Sequence, residues 1–151
     1  MYEYEFFEAI RNNDIEKVKK LVEYGMDINT EYKYNYESET ALMLASEKNN
    51  LEIVKYLAEH GADINAHNED GLTALHSCIY YGFSNLELIK YLVEHGADVN
   101  SQDSRGYTIL DRLFTRSLHF VNNETLEAAE YLIEKGANVN DLNLNSVLFN
   151  V

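Results

Sequence analysis

The chain contains no proline, so its turns must be made by glycine, asparagine and aspartate. It also lacks tryptophan and has one cysteine, Cys78. A single thiol excludes an intramolecular disulfide and a thiolate zinc cluster. Inside the apolar stretch LHSCI it reads as a small core side chain rather than a nucleophile. No apolar run approaches the roughly 20 residues of a membrane span. The opening MYEYEFFEAI is acidic and lacks the basic flank and cleavage site of a secretory signal. Together these features lead us to expect a cytoplasmic protein with no membrane contact. Cations are scarce: 12 Lys and Arg stand against 26 Asp and Glu, a net charge of −14. Residues 1–66 carry 7 basic and 14 acidic groups and residues 67–151 carry 5 and 12, so each part is −7 and the acidity belongs to the whole body. Such a field disfavours direct nucleic-acid binding and speeds encounter with basic partners, although it also serves solubility alone.

Apolar residues make up 46% of the 151, enough for a sizeable core. One element is written four times: VKKLVEYGMDIN ending at Asn29, VKYLAEHGADIN at Asn65, IKYLVEHGADVN at Asn100 and AEYLIEKGANVN at Asn140. Its glycines, Gly25, Gly61, Gly96 and Gly136, are 36, 35 and 40 residues apart. This period is that of a solenoid of helical hairpins. Before each glycine, apolar residues fall at helical spacing: Ile53, Val54 and Leu57, then Leu88, Ile89, Leu92 and Val93. The glycine ends the helix in a left-handed conformation. Asp63 and Asp98 are expected to accept backbone hydrogen bonds in the following turn, with Asn65 and Asn100 doing likewise. The polar stretches HNEDG and QDSRG suit tight hairpin tips. Thr73 and Thr108 then cap a new short helix.

This pattern resembles the ankyrin repeat, whose signature runs G-x-T-P-L-H-x-A to G-A-D-V-N. The match is closest from Gly71 to Asn100, which reads GLTALH and then GADVN. The resemblance implies an all-α solenoid of stacked helix-turn-helix units with projecting β-hairpin loops. Hairpins and first helices would form a concave face. It divides a single domain, 1–151, into repeats at about 2–34, 35–67, 68–102 and 103–142, with a partial cap at 143–151. The last segment, NSVLFNV, reads as a fifth repeat cut short or as the edge of a longer array. Ala41, Ala74 and Ile109 replace the family proline, which leaves helix starts to rest on the threonine cap. His76 keeps the family histidine, whereas Met43 and Asp111 replace it. Thr40 to Gly61 spans 21 residues, but the equivalent stretches are 23 and 28 in the next two copies, with the additions near 82–85 and 117–125. The first hairpin carries a longer insertion, TEYKYNYESE.

Chemistry-bearing constellations are weak. His60 and His95 share one repeat position beside the terminating glycine and read as structural. The other histidines, His67, His76 and His119, lack metal-ligand spacing. No phosphate-cradling loop, nucleophile elbow or dinucleotide fingerprint occurs. The expectation is a non-enzymatic protein with no cofactor.

Tyrosine is abundant, at 12. Tyr56, Tyr91 and Tyr131 share a second-helix position and read as packing. Tyr34, Tyr36, Tyr80, Tyr81 and Tyr107 fall in hairpins or at first-helix ends and read as binding anchors. Carrying over the family's variable contact positions by register gives a candidate partner-binding set. The first copy supplies Arg11 and Asn12. The second supplies Tyr34, Tyr36, Glu37, Glu39, Glu47 and Lys48. The third supplies His67, Glu69, Asp70, Leu72, Tyr80 and Tyr81. The fourth supplies Gln102, Ser104, Arg105, Tyr107 and Arg116, with Thr115 beside it. The expected function is recognition of a folded protein partner, basic in character, by a monomer. The alternative is a stand-alone acidic inhibitor, of immunity type, that occludes a basic enzyme such as a nuclease toxin.

Overall fold

An asparagine or aspartate ahead of the apolar run sets where the first three of the second helices begin. The computed structural model describes residues 2–34, 37–79, 85–116 and 123–140, with the Arg116 side chain excepted. There the helices come in pairs: α1 (Glu3–Arg11) and α2 (Ile15–Glu23), α3 (Ala41–Glu47) and α4 (Leu51–Glu59), α5 (Ala74–Ser77) and α6 (Leu86–Glu94), α7 (Ile109–Arg116) and α8 (Asn123–Glu134). Asp14 accepts from the Lys17 N–H at 3.0 Å, Asn50 from Ile53 at 3.0 Å, and Asn85 from Glu87 at 3.0 Å. Each such cap stabilises its helix by about 1 kcal/mol. The caps also touch one another: Asn50 Nδ2 donates to Asn13 Oδ1 at 3.0 Å and Asn85 Nδ2 to Asn49 Oδ1 at 2.7 Å. Asn13 and Asn49 are themselves left-handed, at φ 57° and 56°. These asparagines form a row along the interhelix turns that links residues 36 and 37 positions apart.

Second helices end as expected. The four repeat glycines lie at φ +94° to +99°. The next residue reaches back over the last turn: Met26 N–H to the Leu21 carbonyl, Ala62 to Leu57, Ala97 to Leu92 and Ala137 to Leu132. Asp27, Asp63 and Asp98 then accept from the N–H of Asn29, Asn65 and Asn100 at 2.9, 3.0 and 2.9 Å.

The asparagines require a correction. They do not fix their own loops by accepting as the aspartates do. Asn65 Nδ2 donates to the Gly96 carbonyl at 2.9 Å, and its Oδ1 accepts from the Asp98 N–H at 2.8 Å. Asn29 does the same to Gly61 and Asp63, and Asn100 to Gly136 and Asn138. A carboxamide offers a donor and an acceptor together, so it can bridge two backbone groups of the next repeat.

The first-helix starts bring a second correction. Only Thr40 acts as a lone side-chain cap, accepting from Met43 N–H at 3.2 Å. At Thr73 the cap is reciprocal, because His76 Nδ1 lies 3.3 Å from Thr73 N and 2.9 Å from its Oγ1. Asp111 takes the histidine's place at Thr108, accepting from both its N–H and Oγ1 at 2.8 and 2.9 Å while donating its own N–H to Oγ1. A reciprocal pair satisfies two orphan groups at once and compensates for the missing prolines.

First helices stack on one another (α1 on α3, α3 on α5, α5 on α7), and α2 packs on α4 and α6 on α8. One continuous apolar core runs through the stack, with Phe6, Phe7, Ile10, Leu42, Leu57, Leu75, Leu92 and Leu110 fully buried. Ile53, Val54, Leu88 and Ile89 are buried as the spacing implies, and Val93 is half-buried. Cys78 is core: burial pushes its thiol pKa up to about 12, which disfavours the thiolate. Among the described residues no helix is long and apolar enough to cross a membrane. The additions at 82–84 and 117–122, His119 and the final NSVLFNV lie outside the described residues.

Candidate functional site

The hairpins begin with the TEYKYNYESE insertion, whose length permits a true ladder. Strands β1 (Glu31–Tyr34) and β2 (Glu37–Thr40) pair antiparallel, Glu31 opposite Thr40 and Tyr34 opposite Glu37. Tyr32 stacks on buried Phe7 at 5.0 Å, and Tyr34 lies parallel to Tyr32 at 6.5 Å. The outermost ring, Tyr34, is 63% exposed. Arg11 lies over the Tyr32 ring and pairs with Glu8 at 3.0 Å and Glu39 at 3.2 Å.

The later hairpins are shorter and hold themselves by an acceptor at their first position. Asn68 accepts from the N–H of Asp70 and Leu72, and Asp103 from the N–H of Arg105 and Tyr107. Asp103 is buried and receives Arg112 Nε at 2.8 Å and a second, shorter guanidinium contact. Burial would raise its pKa, but the Arg112 bond and the two backbone N–H groups outweigh it and hold the carboxylate below its usual range. Arg112 also covers the Tyr107 ring at 5.1 Å, which leaves Tyr107 half-buried. Consecutive hairpins are tied where Ser104 N–H donates to the Asp70 carbonyl at 2.8 Å. Gly71 makes that approach possible. Its φ is +72°, and a Cβ there would lie 2.9 Å from Ser104 N.

Hairpins and first helices enclose two clefts that share Asp70 and Leu72. The first, about 270 Å³, is lined by Arg11, Tyr34, Glu37, Ser38, Glu39, Met43, Leu44, Glu47, Lys48, Asn68, Asp70, Leu72 and Ser77. It brings together eight of the residues selected by register: Arg11, Tyr34, Glu37, Glu39, Glu47, Lys48, Asp70 and Leu72. Burial and the charge of Glu47 raise the Glu39 pKa despite the opposing Arg11. The second cleft, about 320 Å³, is lined by Asp70, Leu72, His76, Ile79, Ser104, Arg105 and Arg112. Its polarity differs, with Arg105 exposed at its edge. His76 is kept from charging chiefly by burial, against the opposing pull of the Tyr107 backbone.

His67, Glu69 and Gln102 line neither cleft. They fall in a third groove with Asn65, Asp98 and Asp103, between successive hairpins, that also includes Ser104. Asn12 is exposed and lines none of the three. Tyr36, Tyr80 and Tyr81 lie outside the described residues, as does the Arg116 side chain. Ser38 was missed by register reasoning, and no local pattern signals it. Tyr91 stacks on His95 and Tyr56 lies tilted against His60, both at 4.0 Å, while those histidines bond the helix carbonyls of the same tyrosines. These groups are packing and capping elements, as is half-buried Tyr131. Among the described residues no group of three or more His, Cys, Asp or Glu is placed to hold a metal.

A family model for ankyrin repeats (3 copies) matches residues 6–103. No curated protein matches the chain. Ankyrin repeats are in general protein–protein interaction modules and typically carry no enzymatic activity. With the helix pairs, the stacked hairpins and this match over most of its length, the chain belongs to the ankyrin-repeat family.

Proposed function

We propose that this protein recognises a folded protein partner through the face formed by its hairpins and first helices, and acts by what it covers or holds. The observation that carries the reading is the convergence of Tyr34, Glu37, Glu39, Glu47, Lys48, Asp70 and Leu72 on one cleft. A half-buried leucine and an exposed tyrosine supply anchors, and the surrounding carboxylates steer a basic surface towards them. A standard interface of roughly 800 Å² per partner fits a face of this kind. Arg105 and Arg112 at the second cleft favour a partner that is basic at one end of its footprint and less so at the other. The net charge of −14 favours a second, narrower reading: a stand-alone inhibitor of a basic enzyme, such as a nuclease toxin.

The test is affinity capture from the native source by the wild-type chain and by a Tyr34→Ala, Leu72→Ala variant, followed by Kd measurement on the captured protein. The variant should keep its melting temperature within a few degrees and weaken binding by about 2 kcal/mol or more. Unchanged affinity would remove this face from the interaction.

A further inference from the structure

We propose that the α8 end of the stack docks on the α1–α2 end of a second copy of this chain, so that copies associate head to tail. The inference is independent of the docking reading above and departs from the monomer expected from the sequence.

Three positions of the repeat leave the α8 end open. In the third repeat Leu86 and Val93 are half-buried and Val99 is buried, and the same positions of the first two repeats are covered likewise. Their counterparts in the fourth, Leu126, Ile133 and Val139, are 45%, 43% and 44% exposed. Repeats cohere by burying such a stripe against the following unit.

The asparagine clamp is open at the same end. Asn29, Asn65 and Asn100 each hold a glycine carbonyl of the following repeat and the N–H two residues beyond it. Asn140 occupies this position in the fourth repeat, is exposed, and its carboxamide makes no hydrogen bond among the described residues. The first repeat carries the groups it would take. The Gly25 carbonyl and the Asp27 N–H are exposed and hydrogen-bonded to nothing among the described residues.

Charge selects the occupant. Within the stack, the residue six before one repeat glycine lies over the ring five before the next: Lys55 over Tyr91 at 5.7 Å and Lys90 over Tyr131 at 5.5 Å. The glutamate two before the glycine acts on the same ring. Burial and then Glu59 raise the Tyr91 pKa, as burial and then Glu94 raise that of Tyr131. On α8 the first of these positions is Glu130 instead of a lysine, so with Glu134 the place is doubly acidic. On α2 the ring position is Lys20, exposed and without an ion pair among the described residues. Lys17, 3.9 Å from Glu5, stands where the later repeats bury Ile53, Leu88 and Ala128 and adds a second cation there. The register of the stack therefore brings Lys20 of one copy against Glu130 and Glu134 of its neighbour. The alkyl stems of the two lysines cover the apolar stripe. Because the two faces differ, the contact is heterologous and does not saturate at a dimer.

The test is sedimentation velocity on the full chain over a wide range of protein concentration. Moderate salt screens the repulsion between copies of net charge −14. The expected result is a weight-average mass that climbs past the dimer as concentration rises. Glu130→Lys, Lys20→Glu, Ile133→Gln and Asn140→Ala should each weaken association by about threefold or more. Lys20→Glu with Glu130→Lys in one chain should recover most of the loss, since the pair re-forms with its signs exchanged. These positions are exposed, so each variant should keep the wild-type melting temperature to within about 2 °C. Tyr34→Ala with Leu72→Ala, on the docking face, should leave association unchanged. A chain that stays monomeric throughout overturns the proposal; a lowered melting temperature for Ile133→Gln would then show that the chain's own residues cover the stripe. A dimer that saturates and ignores Lys20→Glu is a tail-to-tail contact and overturns it equally. So does a double charge reversal that recovers nothing.

Discussion

Asn65 grips the backbone on both sides of Ala97, donating to the Gly96 carbonyl at 2.9 Å and accepting from the Asp98 N–H at 2.8 Å. The same clamp recurs from Asn29 and from Asn100, so one side chain per repeat sets the spacing to the next. Asn65→Ala leaves two backbone groups to water at an exposed site, and should cost about 1 kcal/mol. Asn65→Asp should cost at least as much, because a carboxylate facing the Gly96 carbonyl has no donor to offer it. Urea unfolding of the two variants checks this order.

Gly71 and Gly106 occupy equivalent hairpin positions with similar backbone, φ +72° and +81°, but different surroundings. Around Gly106 an added Cβ meets nothing within 4 Å, whereas at Gly71 it meets the backbone of Asp103 and Ser104. Gly106→Ala should cost only the left-handed strain of about 1 kcal/mol. Gly71→Ala should cost clearly more, with the loss of the Ser104–Asp70 bond visible as faster amide exchange at Ser104. Equal melting temperatures for the two variants would contradict the hairpin stacking.

Acidification should lower the protein's stability in two stages. The His76 pKa is lowered in the folded state, so the stability it contributes is complete above its unfolded value of about 6.5 and is lost as pH falls below it. The Asp103 pKa is also lowered, so its contribution is complete above the unfolded value of about 3.9 and is lost as pH falls towards the folded one. Asp103→Asn should therefore destabilise by about 2 kcal/mol at neutral pH, where it forfeits the charge-assisted bonds to Arg112. It should also flatten the lower stage and deepen the upper one, because the Asp103 charge opposes the lowering of the His76 pKa. Melting temperatures from pH 8 to pH 3 for both proteins decide this.

Leu75 on the short α5 is fully buried between neighbouring first helices. Leu75→Ala should cost about 2–5 kcal/mol. Because repeats are coupled to their neighbours, the loss should appear as one cooperative transition rather than a local one.

Local chemistry was readable from the residues; contacts between repeats were not. A glycine ending an apolar run, or a threonine before the next, acts within a few residues, and Gly61 and Thr73 do what their spacing implies. Asn65 looked like another turn residue because its partners lie 31 and 33 positions away. Asp111 looked like a lost histidine, yet a carboxylate can close the same cap. Nothing in QDSRG marks Asp103 as the residue that Arg112 will reach. In the candidate site, register placed eight residues on one cleft but grouped His67, Glu69 and Gln102 with them, and a hairpin has two sides. The anchors Tyr36, Tyr80 and Tyr81 remain expectations of the sequence.

The hairpin and first-helix face, with its acidic cleft, is proposed to hold the partner. The most direct measurement is amide hydrogen exchange of the chain with and without the captured partner. Protection concentrated at residues 37–48 and 68–72, with α2 and α4 unchanged, is the expected result. Protection centred on α2 and α4, with residues 37–48 unaffected, would contradict it.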